Sequence, residues 1–329
     1  MPSEPTVIIA TRGSALALAQ ANMILAQCQS AFPDLRFELR IIKTTGDKLQ
    51  TASLAQEGAS LPKGLFTKEL EVALLEHRAD LAVHSLKDLP TELPAGLTLG
   101  AVGQRADVRD VLIYRDADFS AATSRGRGFK PHLRVEALPD GAVVATSSTR
   151  RRAQLLARNP KLKAPDIRGN VATRMQKVAD KPELDATILA LAGISRLHFR
   201  ISPEGRLEGE GVPQGLLACV LGTDVMLPCV GQGAIGIEIR ENDQRLAGIC
   251  KKLNDFATYQ CVTAERAFLA GMGGGCQSPV AAYAEPADGQ IRMKALSFTS
   301  GPLRAAQAVR PVSEAKELGE QLAKELKAQ

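Results

Sequence analysis

The stretch Val7-Ile8-Ile9-Ala10-Thr11-Arg12-Gly13-Ser14 decides the fold class, because an apolar run ends in a polar turn just before a helix. Its apolar part predicts a buried strand, and Ser14 is a candidate N-cap for a helix to about Ala31. Further strands are predicted at Phe37–Lys43 and at Leu81-Ala82-Val83. Strands that alternate with helices in this way predict an α/β unit with a largely parallel sheet.

The middle of the chain repeats this alternation. Val143-Val144-Ala145 predicts a strand that leads into a helix ending near Arg158. Asp166-Ile167-Arg168 predicts the next strand, followed by a helix from near Val171, and Ala186–Leu191 predicts another buried strand. We therefore expect a second α/β unit.

Other regions have a different character. Asp116–Leu133 has little apolar pattern and predicts a surface insertion. Glycine and proline alternate in Leu227–Gly233, which indicates a hinge before a strand at Ala234–Arg240. The remainder predicts, in order, a helix from about Phe256 through Ala270, strands near Pro279–Ala284 and Ile291–Phe298, and an amphipathic helix from Ser313.

Length and composition limit the possible classes of protein. A chain of 329 residues is too long for one ordinary core, and 45% hydrophobic with 23% charged residues is typical of globular proteins. No apolar run approaches the roughly 18 residues of a membrane span, and residues 1–15 lack the features of a secretory signal. Six cysteines without a CxxC pair, and four histidines, argue against disulfides and metal sites. We expect a cytoplasmic protein without a metal.

The charge pattern favours a small anionic ligand. The net charge of +5 is modest, but the arginines cluster near glycines and small hydroxyl residues. Aromatic residues make up 4% of the chain and tryptophan is absent, so the stacking surfaces that bind single-stranded nucleic acid are poorly supplied. No long apolar interface stripe is present, so we expect a monomer that binds no nucleic acid and no membrane.

Polar clusters follow several of the predicted strands, at the positions where open α/β sheets bind ligands. Backbone N–H groups, hydroxyls and guanidinium groups at a helix start are suited to bind carboxylates or phosphates. In the alternative, Ser14 and Ser147 or Ser148 only cap helices and the arginines are solvated. The recurrence of the pattern favours an anion site. The clusters are Thr11-Arg12-Gly13-Ser14, Thr146-Ser147-Ser148 with Arg150 and Arg151, and Arg168-Gly169-Asn170.

A further cluster, His84-Ser85-Leu86-Lys87-Asp88-Leu89-Pro90, lies at the end of a predicted strand. Lys87 and Asp88 are either an ordinary surface ion pair, which contributes little, or an acid–base group that faces a cleft and stabilises a developing cation. These residues alone leave both alternatives open. We expect His84 to be a structural hydrogen-bonding residue.

Cys276 lies in Gly273-Gly274-Gly275-Cys276-Gln277-Ser278-Pro279, which predicts an exposed loop. The glycines permit positive φ and close approach of a bulky group, and the proline prevents a helix. The alternative is a small buried side chain beneath a glycine turn, since free cysteines are usually buried. The flanking residues favour a displayed thiol.

Together these motifs resemble those of the porphobilinogen deaminase (hydroxymethylbilane synthase) family, in the family's order and over nearly the whole chain. Each motif alone is weak evidence for the family, but the complete set in this order is highly specific for it. The resemblance rests on Ala10–Ser14, Lys63-Gly64-Leu65-Phe66 with Lys68-Glu69-Leu70-Glu71, His84–Asp88, Thr146–Arg151, Arg168–Val171, Val230–Gly233 and Gly274–Cys276.

The resemblance implies two α/β domains like those of a type II periplasmic binding protein and a smaller α+β C-terminal domain. The implied boundaries are residues 1–105 with 233–252 for domain 1, 106–232 for domain 2 and 253–329 for domain 3. It also implies a transferase that joins four porphobilinogen units head to tail, with loss of ammonia. The product would be linear hydroxymethylbilane for tetrapyrrole synthesis.

The resemblance implies a role for each motif as well. Cys276 would carry a dipyrromethane cofactor through a thioether, and Asp88 with Lys87 would be catalytic. Each pyrrole carries an acetate and a propionate, so the arginines would bind a polyanion. The implied cofactor-binding residues, besides Cys276, are Lys87, Asp88, Thr146, Ser147, Ser148, Arg150, Arg151, Arg168 and Gly169. The implied substrate-binding residues are Arg12, Ser14, Lys63, Arg174, Arg196 and Gln232.

Some features depart from the family pattern. Gln56 occupies a position where bacterial relatives often have lysine, and Ala59-Ser60-Leu61-Pro62 replaces a more glycine-rich approach to Lys63. The insertion at 118–136 is longer than expected. Two functions of other classes remain as alternatives: an anion receptor without turnover, which leaves Cys276 unexplained, and a thiol-dependent acyltransferase, for which no histidine lies near Cys276 in the sequence.

Overall fold

The computed structural model describes residues 6–45, 67–123, 126–275 and 278–328. The strands in these ranges are β1 (Val7–Thr11), β2 (Phe37–Ile41), β3 (Leu81–Ser85), β4 (Leu97–Val102), β5 (Asp110–Arg115), β6 (Val144–Ala145), β7 (Ala186–Ala190), β8 (Arg200–Ile201), β9 (Leu207–Glu208), β10 (Leu216–Leu221), β11 (Ile235–Arg240), β12 (Val280–Ala287), β13 (Gln290–Ser297) and β14 (Arg304–Pro311). The helices are α1 (Ala15–Ala31), α2 (Lys68–Leu75), α3 (Ala117–Thr123), α4 (Thr149–Arg158), α5 (Val171–Asp180), α6 (Leu191–Arg196), α7 (Gln244–Leu253), α8 (Phe256–Gly271) and α9 (Ala315–Ala328).

The first unit is built on a five-stranded sheet in the order β2-β1-β3-β11-β4. β1 pairs in parallel with β2 and β3, whereas β11 is antiparallel to both of its neighbours. α1 and α7 cover one face through Ile24 and Ile249, and α2 covers the other face through Leu70 and Leu74. The sheet is therefore buried on both sides.

The second unit is built on a four-stranded sheet in the order β10-β5-β7-β6. β6 pairs in parallel with β7, and β5 is antiparallel to β7 and β10. Successive side chains of β5 face opposite layers, as a strand requires. Leu112 and Tyr114 pack in the layer that contains α4, while Val111 and Ile113 pack in the layer that contains α5.

The chain crosses between the two units twice, through residues 103–109 and 222–234, which we call the crossing segments. Because β11 returns from the second unit, it runs against β3 and β4. The prediction of two α/β units is confirmed, and so is the largely parallel sheet predicted for the first unit, because of its five described strands only β11 runs against the others. The antiparallel direction of β11 is not part of that prediction. Strand direction depends on where the chain crosses between sheets, and the local apolar pattern does not encode that.

The strand predicted at Asp166-Ile167-Arg168 is wrong, because the segment pairs with no strand of the described residues. A side chain bonds this backbone instead. The Ile167 N–H donates to Ser147 Oγ at 3.0 Å, and Ser147 Oγ donates to the Ile167 carbonyl at 2.9 Å. The serine thus takes the place of a neighbouring strand.

The C-terminal unit is a three-stranded antiparallel sheet, β12-β13-β14, covered by α8 and α9. Phe268 of α8 and Leu322 of α9 are fully buried in one cluster with Met293. The predicted helices and the first two strands are confirmed. β14 is missing from the sequence prediction, because Arg304–Pro311 mixes alanine with arginine and glutamine and shows little apolar alternation.

The fold class is therefore confirmed: two α/β units of the type II periplasmic binding protein kind and a smaller α+β unit. Within the described ranges, no helix combines the length and the apolar character needed to cross a membrane.

A buried ionic group at Glu265 of α8 joins the C-terminal unit to both crossing segments. Arg105 donates two hydrogen bonds to the Glu265 carboxylate, at 2.7 and 2.9 Å. The same carboxylate accepts the N–H groups of Gly231 at 2.7 Å and of Ala284 at 2.8 Å. Glu265 therefore fixes the two crossing segments and β12 at one point.

Candidate active site

Lys87 and Asp88 lie on a 3₁₀ turn that directly continues β3. Leu86 of this turn is buried, Lys87 is partly exposed and Asp88 is exposed. The second crossing segment lies directly behind the turn: Gly231 has φ +70°, and a Cβ there would lie 3.1 Å from the Lys87 backbone nitrogen. The left-handed backbone and this close approach both require glycine.

Lys87 belongs to a group of charges that comes from both units. Burial lowers its pKa and Arg151 lowers it further, whereas Asp88 and Asp110 act in the opposite direction. Burial and Arg151 also lower the pKa of Arg174 on α5, which Asp88 opposes. Lys87 and Asp88 therefore face charged residues of the second unit, which an isolated surface ion pair would not.

Arg150 and Arg151 hold a buried carboxylate, Asp110, at the start of β5. Arg150 Nη2 lies 2.8 Å from Asp110 Oδ2, and Arg151 Nη2 lies 2.7 Å from Asp110 Oδ1. Gln232 Nε2 donates to Asp110 Oδ1 at 3.0 Å. Burial by itself would raise the pKa of Asp110, but the two guanidinium groups hold it well below its usual range. We call these four residues the Asp110 cluster.

The Asp110 cluster keeps some polar atoms unpaired. Among the described residues, Arg150 Nε, Arg151 Nε and Gln232 Oε1 are buried and have no hydrogen-bond partner. The other guanidinium contacts are to the carbonyl oxygens of Leu227 and Ile188. Unpaired buried polar atoms are rare in proteins, and a bound water or ligand commonly supplies the missing partner.

Thr146, Ser147 and Ser148 lie between β6 and α4. Ser148 Oγ accepts the Arg151 N–H at 3.4 Å and so caps α4. Thr146 Oγ1 accepts the Ser148 N–H at 3.2 Å, while Ser147 binds the Ile167 backbone. The hydroxyl groups therefore shape the corner beside the arginines.

Ser14 caps α1, because its Oγ accepts the Ala17 N–H at 3.3 Å. Arg12, two residues earlier, is partly exposed at the end of β1. The capping half of the alternative is thus confirmed for Ser14 and Ser148. Its second half, solvated arginines, is wrong for the two arginines of the Asp110 cluster, which are buried.

Gly169 and Asn170 form the start of α5. Gly169 has φ +114°, and a Cβ there would lie 2.6 Å from the Thr173 side chain. Asn170 Oδ1 accepts the Thr173 N–H at 2.9 Å, and Arg174 Nε donates to the Gly169 carbonyl at 2.8 Å. Arg168, just before the glycine, is exposed. This corner brings Arg168 and Arg174 to one helix start.

Arg196 ends α6 and reaches the second crossing segment, where its Nη2 donates to the Gly233 carbonyl at 2.7 Å. Burial lowers the pKa of Arg196 to about 10. Arg174 and Arg196 both contact carbonyl oxygens, and neither forms an ion pair with a carboxylate of the described residues. Each therefore keeps its charge available for an anion.

Several predicted residues lie outside the described ranges: Cys276, Lys63, Gln56 and the segment 59–62. The chain just before Cys276 is described. α8 ends at Gly271, and Gly273 has φ +71°, so the positive φ expected of the glycine run is confirmed at this residue.

His84 lies on the face of β3 that packs against α2. Its Nε2 lies 2.9 Å from Glu238 Oε2, and both side chains are buried. Burial raises the pKa of Glu71 on α2, and the charge of Glu238 adds to this shift. The prediction that His84 is a structural hydrogen-bonding residue is confirmed.

Two buried polar residues near the cleft are missing from the predicted site. Asp110 precedes the buried run Val111–Tyr114, and an acidic residue at the start of such a strand is the signal that identifies it. Gln20 of α1 accepts a hydrogen bond from Ser85 Oγ at 3.0 Å, and its buried Nε2 has no partner among the described residues. For Gln20, the signal in the sequence is an amide side chain at a position on the buried face of α1.

The fold and the site define an α/β protein in which charged side chains of two units, Lys87 and Asp88 in one and Arg151 and Arg174 in the other, lie close together. Comparison with known families makes this more specific. The model described as porphobilinogen deaminase, dipyromethane cofactor binding domain, matches residues 7–248, and that described as porphobilinogen deaminase, C-terminal domain, matches residues 259–328. The chain belongs to the porphobilinogen deaminase family, which confirms the predicted family, the transferase class and the dipyrromethane cofactor.

Similar proteins carry the same name. The porphobilinogen deaminase of Gloeobacter violaceus is 43% identical over 98% of this chain and 90% of its own length. That of Neisseria meningitidis serogroup A is 40% identical over 97% of this chain and 93% of its own length. The chloroplastic porphobilinogen deaminase of Euglena gracilis is 42% identical over 88% of this chain, which spans 55% of that protein.

Solved structures of low sequence identity are also similar. The effector binding domain of BenM with benzoate is 17% identical with a TM-score of 0.40, and covers 82% of this chain and 94% of its own. The OxyR2 regulatory domain of Vibrio vulnificus is 14% identical with a TM-score of 0.40, and covers 76% of this chain and 96% of its own.

Proposed function

We propose that this enzyme of the porphobilinogen deaminase family condenses four porphobilinogen units head to tail into linear hydroxymethylbilane, releasing ammonia at each addition. Cys276 carries the dipyrromethane cofactor as a thioether. Asp88 is the catalytic carboxylate, and Lys87 is the cation beside it. The observation that carries this assignment is the exposed Asp88 at a turn whose neighbours from the second unit are the buried Arg151 and the partly buried Arg174.

The described residues fit a chain of pyrroles that carry acetate and propionate groups. Arg174 and Arg196 are largely buried, and their paired contacts are carbonyl oxygens, so the carboxylates of a ligand supply the missing counter-charges. Arg12 at the end of β1 is partly exposed and Arg168 before α5 is exposed, so both are accessible to such a ligand. The buried and unpaired Nε atoms of Arg150 and Arg151 add donors deeper in the site.

The role of Asp88 follows from its charge and position. Loss of ammonia from porphobilinogen leaves positive charge on the pyrrole, and a fixed carboxylate stabilises that charge in the transition state. Asp88 also accepts and returns the proton that moves at the pyrrole nitrogen and the amine. When bound, the cofactor supplies the free pyrrole α-carbon to which the first substrate unit is joined.

A test of this proposal replaces the charge of Asp88 without changing its shape. Asp88→Asn is expected to lower kcat roughly a hundred- to a thousandfold, with a much smaller change in KM, because the lost interaction acts in the transition state. Asp88→Glu keeps the charge but displaces it, and we expect weak activity with enzyme–substrate intermediates visible by intact mass. Near-normal turnover of Asp88→Asn would mean that Lys87 and Asp88 are an ordinary surface ion pair without a catalytic role.

A second test concerns Cys276, whose assignment rests on the family resemblance and on the glycine run. Cys276→Ser is expected to yield protein without the covalent adduct and without activity, and with a lower Tm, since a bound ligand stabilises the folded state. An unchanged adduct mass in this variant would move the attachment to another residue. A wild-type protein without any adduct would favour the anion receptor or the acyltransferase.

The finer organisation belongs to the same proposal. We place domain 1 at residues 1–105 and 233–252, domain 2 at 106–232 and domain 3 at 253–329, supported by the separate five-, four- and three-stranded sheets. We further propose a cytoplasmic monomer that binds neither nucleic acid nor membranes, and a substrate site that also includes Ser14, Lys63 and Gln232.

A further inference from the structure

Arg266 of α8 binds the chain that directly follows the Lys87–Asp88 turn. Its Nη1 donates to the Leu89 carbonyl at 3.1 Å, and its Nη2 donates to the carbonyls of Pro90 at 2.6 Å and Thr91 at 3.2 Å. One guanidinium group from the C-terminal unit thus gathers three successive carbonyl oxygens of the first unit. Such contacts fix a segment that has no strand or helix ladder of its own.

Apolar packing supports the same junction. Val262, one helical turn before Arg266, is fully buried in a cluster with Leu86 and Leu89. Residues four apart on a helix share a face, so Val262 and Arg266 present one surface to the turn. Leu86 at the start of the 3₁₀ turn and Leu89 just after the turn therefore both pack against α8.

The neighbour of Arg266 has a complementary contact. Glu265 binds Gly231 of the second crossing segment, and Gly231 packs against the backbone of Lys87 from behind. Two consecutive residues of α8 thus fix both the segment after the turn and the segment behind it. α8 is also the helix that leads into the glycine loop before Cys276.

We propose that Arg266 is a positioning residue for Asp88: it sets the place of the catalytic turn relative to the helix that leads to the cofactor loop. This inference rests on the function proposed above for Asp88. It separates Arg266 from the arginines of the cleft, since its guanidinium group binds protein carbonyls and acts on the reaction through the turn.

The test compares Arg266→Met with Arg266→Lys, in holoenzyme whose covalent adduct is verified by intact mass. Arg266→Met is expected to lower kcat between about tenfold and a hundredfold with little change in KM, because a misplacement of about 1 Å at a catalytic group has an effect of this order. Arg266→Lys retains donors for the carbonyls, so we expect partial recovery of kcat.

A matched control comes from the same unit. Arg304 on β14 donates to the Leu326 carbonyl of α9 and so joins two elements within the C-terminal unit. Arg304→Met is expected to lower Tm without changing kcat. If Arg266→Met and Arg304→Met change Tm and kcat alike, Arg266 is a stabilising residue without a positioning role and the proposal is wrong.

A double-mutant cycle tests whether Arg266 acts through Asp88. In the Asp88→Glu background the carboxylate is already displaced, so Arg266→Met is expected to lower kcat less than twofold. A full additional loss in this background would overturn the proposal. The outcome is separable from that of the proposed function, because an active Asp88→Asn variant overturns the role of Asp88 whatever Arg266 does.

Discussion

The arginines of the cleft form two groups that differ in their partners. Arg150 and Arg151 share a buried carboxylate, Asp110, with contacts of 2.7 to 2.8 Å. Arg174 and Arg196 bind carbonyl oxygens, and no carboxylate of the described residues pairs with them. Arginine therefore neutralises a buried carboxylate in the first group, whereas in the second group its charge is not paired with a carboxylate of the described residues.

This difference shows how a protein can collect many cations around one site. A buried charge without a partner is costly, so a cluster of arginines needs some internal compensation. Asp110 supplies it for the pair nearest to β5, and Gln232 completes the hydrogen bonds of that carboxylate. Under the proposed function, the anionic ligand compensates Arg174 and Arg196.

The largest expected effect is on stability and concerns Arg150 and Arg151, the group that is compensated by Asp110. Arg150→Leu leaves Asp110 buried with one cationic partner, and removing one partner of a buried ion pair typically costs about 3–5 kcal/mol. Urea unfolding in a Cys276→Ser background measures this loss without any contribution from the cofactor. A loss below about 1 kcal/mol would mean that Asp110 does not depend on Arg150.

The next effect is on substrate use and concerns Arg174 and Arg196, the group without a carboxylate partner among the described residues. Arg174→Leu is expected to lower kcat/KM about ten- to a hundredfold, since a hydrogen bond to a charged group contributes about 1.5–3 kcal/mol. Its unfolding free energy should stay within about 0.5 kcal/mol, as no buried carboxylate loses a partner. Arg292→Leu removes the same charge at an exposed site with a 3.9 Å contact to Glu285 and serves as the control. A large stability loss in Arg174→Leu would remove the distinction between the groups.

A pH profile probes Lys87, the lysine that lies near Asp88 and Arg151. Burial lowers the pKa of Lys87, so its ammonium charge is lost at a lower pH than that of an ordinary lysine, about 10.4. Since the protonated form binds carboxylates, kcat/KM should fall about tenfold as pH rises through this lowered pKa. Lys87→Arg keeps the charge and should move the alkaline limb to higher pH. Identical limbs in the two proteins would assign the titration to another group.

The smallest effect is that of salt. Raising the ionic strength from 0.05 to 0.5 M is expected to raise KM a few-fold, because capture of a polyanion by exposed cations is screened. The stability difference between wild type and Arg150→Leu should change little, because buried pairs are screened much less. Equal salt dependence of the two quantities would contradict the separation of the groups.

Much of the fold follows from local sequence pattern, and its connections do not. Strands such as Val7–Thr11 and helices such as α1 and α8 are predicted because apolar spacing and capping residues are local signals. The antiparallel direction of β11 depends on a return from the second unit, which no local window contains. β14 escapes prediction because its residues show little apolar contrast.

Site residues in strand–turn–helix motifs can be predicted from the sequence. Site residues whose partners are distant in sequence cannot. Arg12, Arg150 and Arg168 are predictable because each lies at or just after the polar turn before a helix. Asp110, by contrast, cannot be recognised as a site residue from its own segment. Its partners Arg150 and Arg151 lie far along the chain and reach it only in the folded second unit. The same holds for Arg266, whose three acceptors lie in another unit.

The placement of β11 has a consequence for synthesis on the ribosome. β11 lies between β3 and β4, yet the entire second sheet precedes it in the chain. While the nascent chain grows at about 5–20 residues per second, the facing edges of β3 and β4 lack their shared partner, and exposed edges invite wrong pairing. The second unit is complete in sequence before the first one. We therefore expect a nascent chain whose residues up to 232 have left the ribosome to protect the second unit from protease, and one whose residues up to 253 have left it to protect both.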